Sequence, residues 1–120
     1  YEPEEAALLK KLKVRVYMIE EVERRGLTEI IKEAHKIVTQ GTVAFGLTID
    51  IDSLDPLEAP GTGVKEPGGL SSSELCNALT YIANDKRLIG VEIVEFDPHQ
   101  DRDQLTEKII ARLIKSIFAE

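Results

Sequence analysis

The segment Ile49-Asp50-Ile51-Asp52-Ser53-Leu54-Asp55-Pro56 sets two carboxylates two residues apart at the end of an apolar run. The run before it, Thr42-Val43-Ala44-Phe45-Gly46-Leu47-Thr48, is rich in β-formers, and turn residues and proline follow. Side chains of a strand alternate, so Asp50 and Asp52 are expected on one face, about 7 Å apart along the chain. Carboxylates that close repel each other and resist losing water unless a cation sits between them. In open α/β sheets, ligands collect at the carboxyl ends of strands. The chemistry predicted is therefore a divalent-metal site on Asp50 and Asp52.

A third carboxylate belongs beside them. Glu95 closes the run Gly90-Val91-Glu92-Ile93-Val94-Glu95-Phe96-Asp97-Pro98, where proline stops the strand. In a parallel sheet Glu95 leaves the same edge as Asp50 and Asp52; the alternative is a solvated strand-end charge. Glu92 sits mid-strand and needs a partner, because charge is costly there. His35 has no second histidine at metal-ligand spacing and reads as a surface residue. His99 follows Pro98 close to the predicted edge. No Gly-rich phosphate cradle and no nucleophile-elbow serine is present.

These groups need elements to hold them. Glu4 to Leu12 reads as a short helix, Val14 to Met18 as an alternating strand, and Leu27 to Gln40 as a helix ended by Gly41. The aspartate strand follows. From Asp52 to Gly69, a Pro- and Gly-rich stretch supports no regular element, and a loop that long beside paired carboxylates reads as functional. Ser71 and Glu74 form a capping-box pattern opening a helix with Leu75, Ala78, Leu79, Ile82 and Ala83. Leu88 to Glu95 is another strand. Leu105, Ile109, Ile110, Leu113, Ile114, Ile117 and Phe118 mark a last amphipathic helix. Alternating strands and helices imply right-handed crossovers and a parallel sheet. The expectation is one α/β unit over residues 1–120, its Asp50 strand flanked by the strands at 14–18 and 88–94. Helices from Leu27 and Leu105 would cover both faces in a three-layer α/β/α arrangement.

Composition narrows the classes. The formal charge of −7, with dispersed basic residues outside Lys10, Lys11 and Lys13, argues against a nucleic-acid surface. The single cysteine, Cys76, excludes an internal disulfide and fits a reducing cytoplasm. It falls on an apolar helix face and reads as core packing. No apolar run approaches the roughly 20 residues of a membrane span. Tyr1-Glu2-Pro3-Glu4-Glu5 has no initiator methionine and reads as the interior of a longer protein.

Together these motifs resemble the carboxyl-terminal part of the ureohydrolase superfamily, the arginases, agmatinases and formimidoylglutamases, and most of all the arginases. The family's Asp-x-Asp-x-x-Asp-Pro is matched by Asp50, Asp52, Asp55 and Pro56. Its Pro-x-Thr-Gly and Gly-Gly-Leu are matched by Pro60, Thr62, Gly63, Gly68, Gly69 and Leu70, and its Glu-x-Asn/Asp-Pro by Glu95, Asp97 and Pro98. The resemblance implies an α/β/α fold with a site for two Mn²⁺ ions, Asp50 bridging both and Asp52 binding one. Glu95 would face the substrate guanidinium, and Glu2 and Glu5 would correspond to an acidic segment reading the amino-acid end of the substrate. Two such ions about 3.5–4 Å apart lower the pKa of a bridging water, and a carboxylate opposite a planar guanidinium accepts paired hydrogen bonds.

The implied reaction is hydrolysis of a guanidino group: arginine to ornithine and urea, or agmatine to putrescine and urea. The resemblance further implies a cytoplasmic homo-oligomer, trimer or hexamer. The family's first-half ligands, a His and an Asp-x-His-x-Asp segment, are not in this sequence, so the chain alone is expected to be inactive without an amino-terminal half. Val64 stands where the family usually has Thr near the substrate, and Lys65 where it has Pro. Two other readings remain open on sequence alone. One is a metal-dependent phosphotransferase or glycosyltransferase using Asp50-x-Asp52; the other is a non-catalytic α/β fragment.

Overall fold

A computed structural model describes residues 2–118 of the chain. Apolar residues at helical spacing do form helices where the pattern is strongest. In α5 (Leu105–Phe118), Thr106, Ile109, Leu113 and Ile117 line up on one buried face. In α3 (Leu27–Val38), Leu27 and Ile30 are buried. In α4 (Ser72–Leu79), the Ser71 hydroxyl accepts the Glu74 amide at 3.4 Å, the first half of the expected box, and Leu75, Ala78 and Leu79 turn inward. α3 packs on α4, and α4 on α5.

The two strands, β1 (Phe45–Asp50) and β2 (Leu88–Val94), pair in parallel, with Thr48 opposite Glu92 and Asp50 opposite Val94. The crossover between them carries α4, as the alternation of elements predicts. Phe45, Leu47 and Ile49 of β1 join the helices in one apolar core, whereas Gly46, Thr48 and Asp50 stay exposed. Ile51, Leu79, Leu113 and Ile117 lose all contact with solvent. Each such side chain contributes about 1.5–3 kcal/mol of transfer free energy. The Glu92 carboxylate lies on the open face and accepts the Thr48 hydroxyl at 3.3 Å.

One expected element is absent and one unexpected element is present. Val14–Met18 forms no strand among the described residues; it is an open segment. Its side chains instead serve an ion network, with Arg15 bonded to Glu21 at 2.6 Å and stacked 4.0 Å over the Tyr17 ring. Arg25 ties Glu21, at 2.8 Å, to Glu33 of α3. Next comes α2 (Ile19–Arg25), which periodicity did not reveal. Its signals were acids in the first turn, Glu20 and Glu21, bases in the last, Arg24 and Arg25, and then Gly26 at φ 84°. The parallel sheet packed with helices is the α/β class expected, although within the described residues β1 pairs with β2 alone, and Gly46, Thr48 and Asp50 of β1 stay exposed.

The long Pro- and Gly-rich stretch is ordered by its ends. Leu54 and Leu70 form an isolated parallel bridge, in which the Leu70 amide donates to Ser53 O at 2.8 Å and the Asp55 amide to Leu70 O at 3.0 Å. Gly69 is required there, because a Cβ would lie 2.5 Å from the Leu54 carbonyl. Ala59, Gly61 and Thr62 of the same loop are buried. His35 is not a free surface residue: its Nε2 lies 2.6 Å from Asp85, and its ring meets Phe45 and Tyr81 edge-on. Cys76 is half-buried against the core.

Candidate functional site at the carboxyl edge of the sheet

Asp50 ends β1, and the chain turns at once into a 3₁₀ turn, Ile51–Ser53. Asp50 and Asp52 are therefore neighbours through a turn and not through the pleat of one strand. The Asp50 carboxylate accepts the Asp52 amide at 2.8 Å, and the Ser53 hydroxyl donates to Asp50 O at 2.6 Å. These bonds fix the backbone that carries both acids. Asp50 stays exposed, whereas Asp52 is half-buried and its Oδ1 is enclosed with no hydrogen-bond partner among the described residues. Burial, and then the negative charge of Asp50, push the Asp52 carboxyl above the usual carboxylate range, and the Val64 amide offsets part of this. An enclosed, unpaired carboxylate oxygen beside a second carboxylate could hold a cation.

Glu95 follows β2 directly. Because Asp50 pairs with Val94, Glu95 lies one residue past that register position, on the same edge. Its φ is 64°, the left-handed region, which costs a non-glycine residue about 1–2 kcal/mol. Such a conformation persists where its surroundings over-determine it. Two residues on, the Asp97 amide donates to Gly61 O at 2.7 Å. The Asp97 carboxylate accepts Gln100 Nε2 and the His99 amide, each at 3.0 Å, and these bonds lower its pKa. His99 itself is exposed.

Gly61 is gripped from the other side as well. Its amide donates to Thr106 Oγ1 at 2.8 Å, inside the protein. Asp101 caps α5 there, accepting the Thr106 amide at 2.7 Å and the Glu107 amide at 2.9 Å. Burial works to raise the Asp101 pKa, but the Glu107 and Thr106 amides outweigh it and hold the carboxyl low. A Cβ on Gly61 would sit 2.9 Å from both Asp101 Cβ and Thr106 Oγ1. Sequence reading missed Gly61, Asp101 and Thr106. The available signal was a capping-type acid ahead of an apolar helical run.

The remaining predicted groups lie elsewhere or do other work. Asp55 is a turn residue, its carboxylate accepting the Leu57 amide at 3.0 Å. Glu2 and Glu5 meet at the start of α1 (Pro3–Lys11), where the Glu2 amide donates to Glu5 at 3.2 Å. Both are exposed. Lys65, in the loop, donates to Gln100 at 2.8 Å. Among the described residues, no three His, Cys, Asp or Glu side chains converge to hold a metal ion. No helix of the described residues is long and apolar enough to cross a membrane.

Comparison with known proteins gives one answer. The profile of the arginase family matches residues 1–119. The chain is similar to an arginase of Brevibacillus brevis, at 32% identity over 97% of this chain and 39% of that protein. It is likewise similar to a formimidoylglutamase of Bacillus subtilis, at 35% identity over 90% of this chain and 34% of that protein. Among solved structures, an arginase from Bacillus caldovelox superposes with a TM-score of 0.92 at 29% identity, covering 99% of this chain and 40% of that one. The chain thus spans about two fifths or less of the length of these relatives.

Proposed function

Because this chain belongs to the arginase family, we propose that it forms the carboxyl-terminal part of a manganese-dependent ureohydrolase domain acting on a guanidino group. The reaction is arginine to ornithine and urea, or agmatine to putrescine and urea. The observation that carries this reading is the enclosed, unpaired Oδ1 of Asp52 beside Asp50 at the carboxyl end of β1. Those two residues fit a hard divalent cation, since both are carboxylates and no protein cation among the described residues bonds to either. Asp50 and Asp52 would hold manganese. When bound, the ions supply a water acidic enough to act as nucleophile at neutral pH.

The chain's own residues do the rest. Glu95, held at the edge in its left-handed conformation, accepts hydrogen bonds from a planar guanidinium and orients its carbon. Glu2 and Glu5 contribute at the amino-acid end of the substrate. Two aspartates are too few for a pair of ions, so the other ligands come from an amino-terminal half, and the isolated chain is inactive. The complete protein is a cytoplasmic homo-oligomer, a trimer or hexamer. Neither the phosphotransferase or glycosyltransferase reading nor the non-catalytic one draws support from the family match. Purified full-length protein loaded with Mn²⁺ is expected to release urea from arginine or agmatine; a loaded protein that releases none from either overturns the reading.

A further inference from the structure

The geometry points to Thr106 as a positioning residue for Glu95, acting through Gly61 and Asp97. The inference rests on the proposed role of Glu95, but its structural part stands on hydrogen bonds alone. Glu95 has a backbone conformation that a glutamate does not hold unaided. β2 ends at Val94, the register partner of Asp50, and Glu95 is the first residue past it. On the far side of Glu95 from the strand, the Asp97 amide donates to Gly61 O at 2.7 Å. Gly61 is in turn fixed by its own amide on Thr106 Oγ1 at 2.8 Å. Thr106 is fully buried, and its amide is tied to Asp101 at 2.7 Å in the first turn of α5.

The same loop also reaches the other acids. It leaves the sheet edge at Asp52 and is closed at its base by the bridge between Leu54 and Leu70. One hydroxyl therefore anchors a loop that springs from the proposed metal side at Asp52 and bonds the segment beside Glu95. The tightness of the joint makes it a fixed point. Gly61 has no room for a Cβ against Asp101 and Thr106, so the loop cannot shift toward the helix. Nor can the oxygen be dropped silently, since its loss leaves a buried amide unpaired.

The test uses the full-length, manganese-loaded protein with Thr106→Val, Thr106→Ser and, as a control on the same helix, Ser116→Ala. Backbone hydrogen exchange is read at Gly61 and Asp97, together with metal content and kcat and KM for urea release. Thr106→Val is expected to speed exchange at both amides by about tenfold, the scale of one lost buried hydrogen bond. It should lower kcat/KM while metal content stays at the wild-type value. Thr106→Ser, which keeps the oxygen, restores protection at Asp97, and Ser116→Ala leaves it unchanged. If Asp97 keeps its protection in the valine variant, the inference is overturned, whatever happens to activity. If protection falls but wild-type protein releases no urea, the guanidino reading fails while the link from Thr106 to the Glu95 segment holds. Should the valine variant not fold, Asp101→Asn, which loosens one anchor of Thr106, is judged by the same exchange at Asp97.

Discussion

At the scale of single residues, Asp50 and Glu95 look alike, two exposed carboxylates at one sheet edge, yet their proposed loads differ. In the full-length protein, Asp50→Ala is expected to abolish both metal retention and urea release. Glu95→Ala should keep its metal and lose about 10²-fold in turnover, the scale of a misaligned reactant. Elemental analysis beside a urea assay separates the two, and an Asp50 variant with full metal content would contradict the ligand assignment. Asp85 offers a pH prediction away from the site. The Arg87 side chain, then the Arg87 amide, then His35 hold its carboxyl far below the ordinary value of 3.8. A depressed folded-state pKa adds stability above the unfolded value and loses it as the pH falls. Asp85→Asn should therefore lower the urea midpoint near neutrality, and its gap from wild type should close as the pH drops beneath 3.8. The sequence showed that two acids sat together but not how. A period-two argument assumes the strand continues, and the 3₁₀ turn after Asp50 was invisible to it.

Elements set the next limits. The loop from Asp55 to Gly69 depends on a close approach of Gly69 to the Leu54 backbone, whereas a methyl group on Gly63 would meet nothing within 4 Å. Gly69→Ala is expected to cost about 1–3 kcal/mol through forced backbone movement. Gly63→Ala should be neutral or stabilise by about 0.4–1 kcal/mol, by restricting the unfolded chain. Urea melts of both variants check the contrast, and equal effects would refute it. The strongly periodic helices, α3, α4 and α5, and both strands of the sheet were legible because each buries one face on a shared core. Val14–Met18 was misread because alternation reports which side chains share a face. It says nothing of whether a neighbouring strand exists to accept the backbone bonds. Arg15 there pairs with Glu21 of α2 and Glu33 of α3 instead, and the Tyr17 ring lies under Arg15 and Arg25.

For the whole molecule, the two-stranded sheet leaves an open face and outer edges, with Ile89 of β2 77% exposed. Parallel sheets ordinarily have both faces covered, and unpaired edges recruit other chains. The 120-residue chain is expected to bind Mn²⁺ weakly, to hydrolyse no guanidino compound and to self-associate as its concentration rises. Titration calorimetry, a urea assay and sedimentation velocity test the three statements. Ile89→Lys should shift sedimentation toward the monomer, and no shift would place the contact elsewhere. On the rim above the acids, the bridge between Leu54 and Leu70 zips the long loop shut where it leaves and rejoins the body, and Gly61 rivets it to α5. Between rivet and zipper lies Val64-Lys65-Glu66-Pro67, all outward-facing. That stretch is expected to behave as an exchangeable cassette: rewriting its letters should change what the rim offers an incoming molecule, while the seams on either side hold the loop in place.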